Sequence, residues 1–190
     1  MKRIVFCLMS CLAGMGTAHA QVVISVAAGG NLAHACYVSA RMASRNHYTA
    51  RDGINDCNAA LNSFLPRDVR AATYDNRGIM YDAAANYAAA WTDFNSAIKL
   101  NPDLGDAWLN RGVALIRLRS ADEALDDIQK GIALSPSEPE IGYFDRGVAE
   151  ETLHRFPEAY ADYKKALEID PGFSAASDAL KNFRLVPGKS

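Results

Sequence analysis

Asn110-Arg111-Gly112, in the middle of this chain, is read twice more: as Asn76-Arg77-Gly78 upstream and as Asp145-Arg146-Gly147 downstream. The three glycines stand 34 and then 35 residues apart. Beyond each triplet the same sequence of side-chain types follows. A small residue comes first (Ala90, Ala124, Ala159), then an apolar one (Phe94, Ile128, Tyr163), another small one (Ala97, Gly131, Ala166) and a proline (Pro102, Pro136, Pro171). A period in this range marks a stacked-repeat architecture, in which each unit buries its apolar face on its neighbours. Such a fold works by presenting a surface, and chemistry on it needs a separate site.

Within one period the small residues let two helices approach closely while the large ones fill the space beside them. The proline ends the second helix, because it lacks an N–H and restricts the residue before it. Asn101 and Asp170 precede two of these prolines and suit a turn. The pattern resembles the tetratricopeptide repeat, whose units are pairs of antiparallel helices. That family places a large residue at position 4, Gly or Ala at 8, a bulky residue at 11, small residues at 20 and 27, an aromatic at 24 and proline at 32. A unit begun at Ala71 supplies Tyr74, Gly78, Tyr81, Ala90, Phe94, Ala97 and Pro102; one begun at Gly105 supplies Trp108, Gly112, Leu115, Ala124, Ile128, Gly131 and Pro136. A third, from Glu140, supplies Tyr143, Gly147, Glu150, Ala159, Tyr163, Ala166 and Pro171, and Glu150 is its one poor match.

The resemblance implies an all-α, right-handed α-solenoid. Its units are 71–104, 105–138 and 140–173, preceded by a degenerate unit at 34–67 and followed by a capping helix at 174–185 and a tail at 186–190. In the degenerate unit Tyr37 takes position 4, Arg41 position 8, Gly53 position 20, Cys57 position 24 and Ala60 position 27. In that register Cys36, at position 3, faces Cys57 across the helix pair, and a structural disulfide is expected there. The capping helix would cover the stack with Ala175, Ala176, Ala179, Leu180 and Phe183.

Residues 1–20 read as a cleaved export signal: Lys2 and Arg3, an apolar run from Ile4 to Gly16, and a small-x-small site at Ala18-His19-Ala20. The rival readings are a retained anchor, for which the run is short, and lipidation at Cys11. Residues 21–33 read as a flexible lead-in. A periplasmic or secreted location is expected, where disulfides persist. Without Lys2 and Arg3 the chain carries 18 basic and 22 acidic residues, a net charge of −4. That balance argues against nucleic-acid binding, which needs many phosphate-neutralising cations. No later segment has the length of a membrane span.

Position 7 is Arg in three units (Arg77, Arg111, Arg146) and position 23 is Asp in all four (Asp56, Asp93, Asp127, Asp162). The row reads either as ion pairs within each unit or as an anion-binding surface. In tetratricopeptide-repeat proteins the concave groove is lined by first-helix positions 2, 5, 6, 9, 12 and 13. The resemblance therefore implies a peptide groove of Asp75, Asn76, Ile79 and Asp82; Asp106, Leu109, Asn110, Val113, Ile116 and Arg117; and Phe144, Asp145, Val148 and Glu151. Asn76 and Asn110 sit where several relatives hold a peptide backbone with asparagine amides, which donate and accept alike; a solvated helix face is the alternative. The chaperone-binding members clamp a C-terminal carboxylate with basic residues where this chain has Asp75, Ile79, Asp106 and Ile141, so an acidic tail is not the expected ligand.

No catalytic, metal or cofactor set is expected. His34, His47 and His154 are scattered, and the sequence holds no His-Glu-x-x-His, Gly-x-Ser-x-Gly or phosphate-binding motif. The expected function is a non-catalytic scaffold or adaptor that binds an extended peptide segment of a partner protein. The alternative is a self-associating protein of the cell envelope, joined through its repeat ends or through Val22–Val26.

Overall fold

The structure, a computed structural model, describes residues 30–42, 49–134 and 139–183. The expected signal at 1–20, the beginning of the lead-in, His47, Pro136 and the tail at 186–190 lie outside these residues. The described residues form helices and no strand: α1 (Gly30–Met42), α2 (Ala50–Leu61), α3 (Arg67–Ala83), α4 (Tyr87–Leu100), α5 (Gly105–Arg117), α6 (Ala121–Leu134), α7 (Pro139–Thr152), α8 (Phe156–Ile169) and α9 (Ser174–Lys181). Two boundaries differ from the sequence reading. Helix α1 takes in residues 30–33 of the expected lead-in, because Ala33 is buried with Cys36, Cys57, Ala60 and Leu65. Helix α9 stops at Lys181, yet Phe183 beyond it still packs with Tyr163 and Ala176.

Helices pack closely in consecutive pairs, α1 with α2, α3 with α4, α5 with α6 and α7 with α8. Close approach within the last three pairs depends on position 8, which in the first pair is the exposed Arg41. A Cβ added at Gly78 would lie 2.5 Å from the Phe94 ring, one at Gly112 2.5 Å from Ile128, and one at Gly147 2.6 Å from the Tyr163 ring. Phe94, Ile128 and Tyr163 are accordingly among the largest buried side chains. Between α3 and α4, α5 and α6, and α7 and α8 the chain turns through one left-handed residue, Ala85 (φ 57°), Arg119 (φ 66°) or His154 (φ 60°). The next N–H in each turn donates back to Tyr81 O, Leu115 O or Glu150 O at 2.8–2.9 Å, closing the helix end. After α4 and α8 the turn is made by Asn101 and Asp170, whose side-chain oxygens accept from Asp103 N at 3.1 Å and Gly172 N at 2.8 Å.

Each arginine of position 7 binds the aspartate of its own unit through two hydrogen bonds. Arg77 meets Asp93 at 2.6 and 2.7 Å, Arg111 meets Asp127 at 2.7 and 2.7 Å, and Arg146 meets Asp162 at 2.8 and 2.7 Å. The third arm of each guanidinium reaches the preceding unit, donating to Asn58, Asn95 and Gln129 respectively. Tyr74, Trp108 and Tyr143 lie under the guanidinium carbons at 5.4, 4.9 and 5.1 Å. The arginine row is therefore spent on holding units together and is not an open anion site. In the first unit, where position 7 is Ala40, Ser39 Oγ donates to Asp56 at 2.7 Å instead.

The apolar cores follow the same division. One cluster lies in the first pair around Cys36 and Cys57, others join α4 to α5, and the last joins α7, α8 and α9 through Phe144, Tyr163, Phe173 and Phe183. Glu150, the poor match at position 11, is accommodated by a local exchange. It meets Arg155 at 3.4 Å, and Arg155 continues to Asp122 on α6 at 3.1 Å.

Candidate functional site

The first helices of successive units touch one another, α1 with α3, α3 with α5 and α5 with α7, and the second helices do not pack together to the same extent. The first helices thus line the inner, shorter-radius side of the stack. Residues seven apart on one helix share a face two turns apart. Asp75 and Asp82 stand in that relation on α3, and Asn110 and Arg117 on α5.

The wall does not present all the side chains that its sequence offers. Asp75 has no solvent exposure and Asn76 only 2 %. Leu109 is buried in the α5–α6 core. Asn110 Nδ2 donates to Asp75 Oδ1 at 3.0 Å. The two amides therefore do not form a free ladder for a peptide backbone: one is buried and the other serves a neighbouring carboxylate. Ile79, Val113, Ile116, Phe144 and Val148 are half-buried. Ile79, Ile116, Phe144 and Val148 lean on the apolar clusters. Their remaining surface, with Val113, forms a narrow apolar stripe.

What stands out beside that stripe is carboxylate. Burial pushes Asp75 up to about 7, against the lowering effect of the Asn110 hydrogen bond, and Asp106 raises it further. Burial also pushes Asp145 up to about 7 and raises Asp82, while the Arg117 charge pulls both down. Asp75 Oδ2 and Asp82 Oδ1 are buried without a hydrogen-bond partner. Arg117 Nε stands 3.9 Å from Asp82 Oδ1, too far for a hydrogen bond, and its guanidinium lies over the Tyr87 ring at 5.5 Å. Glu151 accepts from Tyr163 Oη at 2.7 Å, and burial is the main cause of a raised Tyr163 hydroxyl.

Sequence reasoning missed Tyr87, Asn58, Asn95 and Gln129, which lie on second helices or their starts and face a neighbouring unit. Their one signal is the recurrence of an amide two residues after the position-23 aspartate, in Asn58, Asn95 and Gln129. Among the described residues no group of three or more His, Cys, Asp or Glu side chains could hold a metal ion. No helix among them is long and apolar enough to cross a membrane. The sulfurs of Cys36 and Cys57 are joined across α1 and α2, with Cα atoms 4.5 Å apart.

Comparison with known proteins agrees with this architecture. Residues 76–139 match the tetratricopeptide repeat family. The Arabidopsis OM64 TPR domain superposes with a TM-score of 0.59 at 27 % identity, covering 63 % of this chain and 98 % of that domain. The first TPR of Spaghetti (RPAP3), bound to the HSP90 peptide SRMEEVD, superposes with a TM-score of 0.55 at 26 % identity, covering 58 % and 87 %. MamA 41-end from Desulfovibrio magneticus RS-1 has a TM-score of 0.63 at 20 % identity over 80 % and 82 %, a likeness of fold alone. Among curated proteins, a DnaJ homolog subfamily C member 7 homolog of Schizosaccharomyces pombe is 29 % identical over 140 residues, 71 % of this chain and 29 % of the relative. A STIP1 homolog of Dictyostelium discoideum is 32 % identical over 113 residues, 60 % of this chain and 20 % of the relative. The chain spans less than a third of the length of these curated relatives. The described residues thus form an all-helical repeat solenoid, within which residues 76–139 are similar to the tetratricopeptide repeat.

Proposed function

We propose that this chain is an exported, non-catalytic adaptor that holds an extended segment of a partner protein along the inner face of its first helices. The observation that carries the reading is that face itself: a half-buried apolar stripe flanked by carboxylates, on a fold whose relative binds a peptide. That relative's peptide is acidic, SRMEEVD. Here Asp82, Asp106 and Asp145 would repel such a chain, so the partner segment is neutral or basic. The export part of the proposal draws on the signal-like residues 1–20 and on the Cys36–Cys57 bond, which suits an oxidising compartment.

The experiment places a photo-crosslinking amino acid at Val113 in the groove or at Glu123 on the exposed side of α6, in the protein expressed with its full leader. Partner crosslinks from Val113 and not from Glu123 are expected, together with thiols at Cys36 and Cys57 that resist labelling before reduction. Crosslinks from Glu123 alone would move the interaction off the groove, and two labelled thiols would remove the bridge. A second reading, self-association, draws on the exposed apolar side chains Leu32, Val38 and Met42 of α1. It predicts crosslinks between copies of this chain.

A further inference from the structure

We propose that the groove takes a lysine or arginine side chain of its partner segment, at the place where Arg117 now stands between Asp82 and Asp145. This rests on the groove reading above and specifies what the groove selects.

Arg117 contrasts with the three arginines of the repeat spine. Those bind their aspartates through two hydrogen bonds at 2.6–2.8 Å and have side chains exposed by 25 % or less. Arg117 approaches Asp82 only to 3.9 Å and its side chain is 48 % exposed. It attracts Asp145 through space. The Tyr87 ring under it gives a stacking position that leaves the guanidinium edge unbound to either carboxylate. Asp82 Oδ1 meanwhile is buried and accepts no hydrogen bond.

A buried acceptor without a donor is costly, and a charged one more so. Both carboxylates show that cost in their raised proton affinity, caused first by burial. The wall carries Asp82, Asp106, Asp145 and Glu151, and Arg117 is the one cation of the expected groove set. A ligand guanidinium carries five N–H donors and an ammonium three. Either can supply the hydrogen bond that Asp82 Oδ1 lacks while Arg117 turns outward toward solvent. Arg117 is in this sense a resident counter-ion, near enough to stabilise the two carboxylates and loose enough to be exchanged.

The test is selection from a phage-displayed library of random 12-residue peptides on the folded protein, followed by titration of the recovered peptides in three backgrounds. Recovered peptides are expected to carry Lys or Arg, and to bind more weakly as salt is raised. In Asp82→Asn/Asp145→Asn their affinity should fall about 10- to 100-fold, the size of a lost charge-assisted hydrogen bond. That variant removes penalised charge, so its melting temperature should hold or rise, and a melting scan checks that it folds. In Arg117→Ala the affinity should rise several-fold. Recovered peptides without Lys or Arg that still block the Val113 crosslink would overturn this inference and leave the groove reading standing. Basic peptides whose binding ignores both variants would overturn it as well. Recovery of no peptide above background would overturn both.

Discussion

Asp75 shows what a single carboxylate costs when a repeat fold buries it. It keeps one hydrogen bond, from Asn110, and its other oxygen has none. Burial lifts its pKa from 3.8 to about 7. Between those values the folded chain holds a proton that the unfolded chain has released, so this residue's contribution to stability declines as pH rises from about 4 to about 7 and is level above. Asp75→Asn keeps an oxygen for Asn110 and removes the charge. It should stabilise the protein by ~2–4 kcal/mol at pH 8, with the gain shrinking toward zero near pH 4. Parallel thermal melts at the two pH values check this, and an equal gain at both would mean that Asp75 does not titrate in this range. The sequence put Asp75 in the groove set from its place in the unit. That the side chain is sealed there could not be read, because its cover comes from neighbouring helices whose offset one unit's pattern does not encode. The same limit applies to Asn76, whose amide looked free on a lone helix.

At the scale of the helix, the turns inside each unit carry the clearest strain. Ala85, Arg119 and His154 all have positive φ, where a Cβ crowds the backbone, and three unlike side chains occupy equivalent places. Ala85→Gly should therefore raise stability by about 1 kcal/mol. Ala84→Gly, one residue earlier at φ −83°, should lower it. Urea unfolding of the two variants separates the effects, and a loss in both would show that the left-handed turn carries no strain at Ala85. Helix content and pairing were legible because the glycine at position 8 and the large residue at 24 recur and meet, as Gly78 with Phe94 and Gly147 with Tyr163. The turns were not legible, since neither glycine nor asparagine marks the left-handed residue. Nor was the earlier start of α1, which follows from Ala33 being drawn into the Cys36–Cys57 cluster.

Across the whole molecule, stability in a stacked-repeat protein is a sum of unit terms and neighbour terms. The spine arginines contribute to both, since each guanidinium binds Asp in its own unit and an amide in the one before. Arg111→Ala would leave Asp127 almost buried without its partner and also release Asn95. The expected cost is ~3–5 kcal/mol, with one urea transition broadening or dividing into two as the units on either side uncouple. A variant as stable and as cooperative as the parent would show that the clasp is idle. The repeated Arg and Asp made the half of this device within each unit readable from sequence; the half between units needed three-dimensional placement. The device also has direction, since every clasp reaches backward. The first unit has Ala40 where an arginine would extend to a predecessor, and the last has Lys164, held over Tyr160, where an amide would receive a successor. A second copy stacked end to end would set Ala40 against Lys164, so that junction would have neither the arginine nor the amide of the clasp. Both margins of the described stack thus lack the clasp that joins its interior, and end-to-end continuation into a filament would go without it.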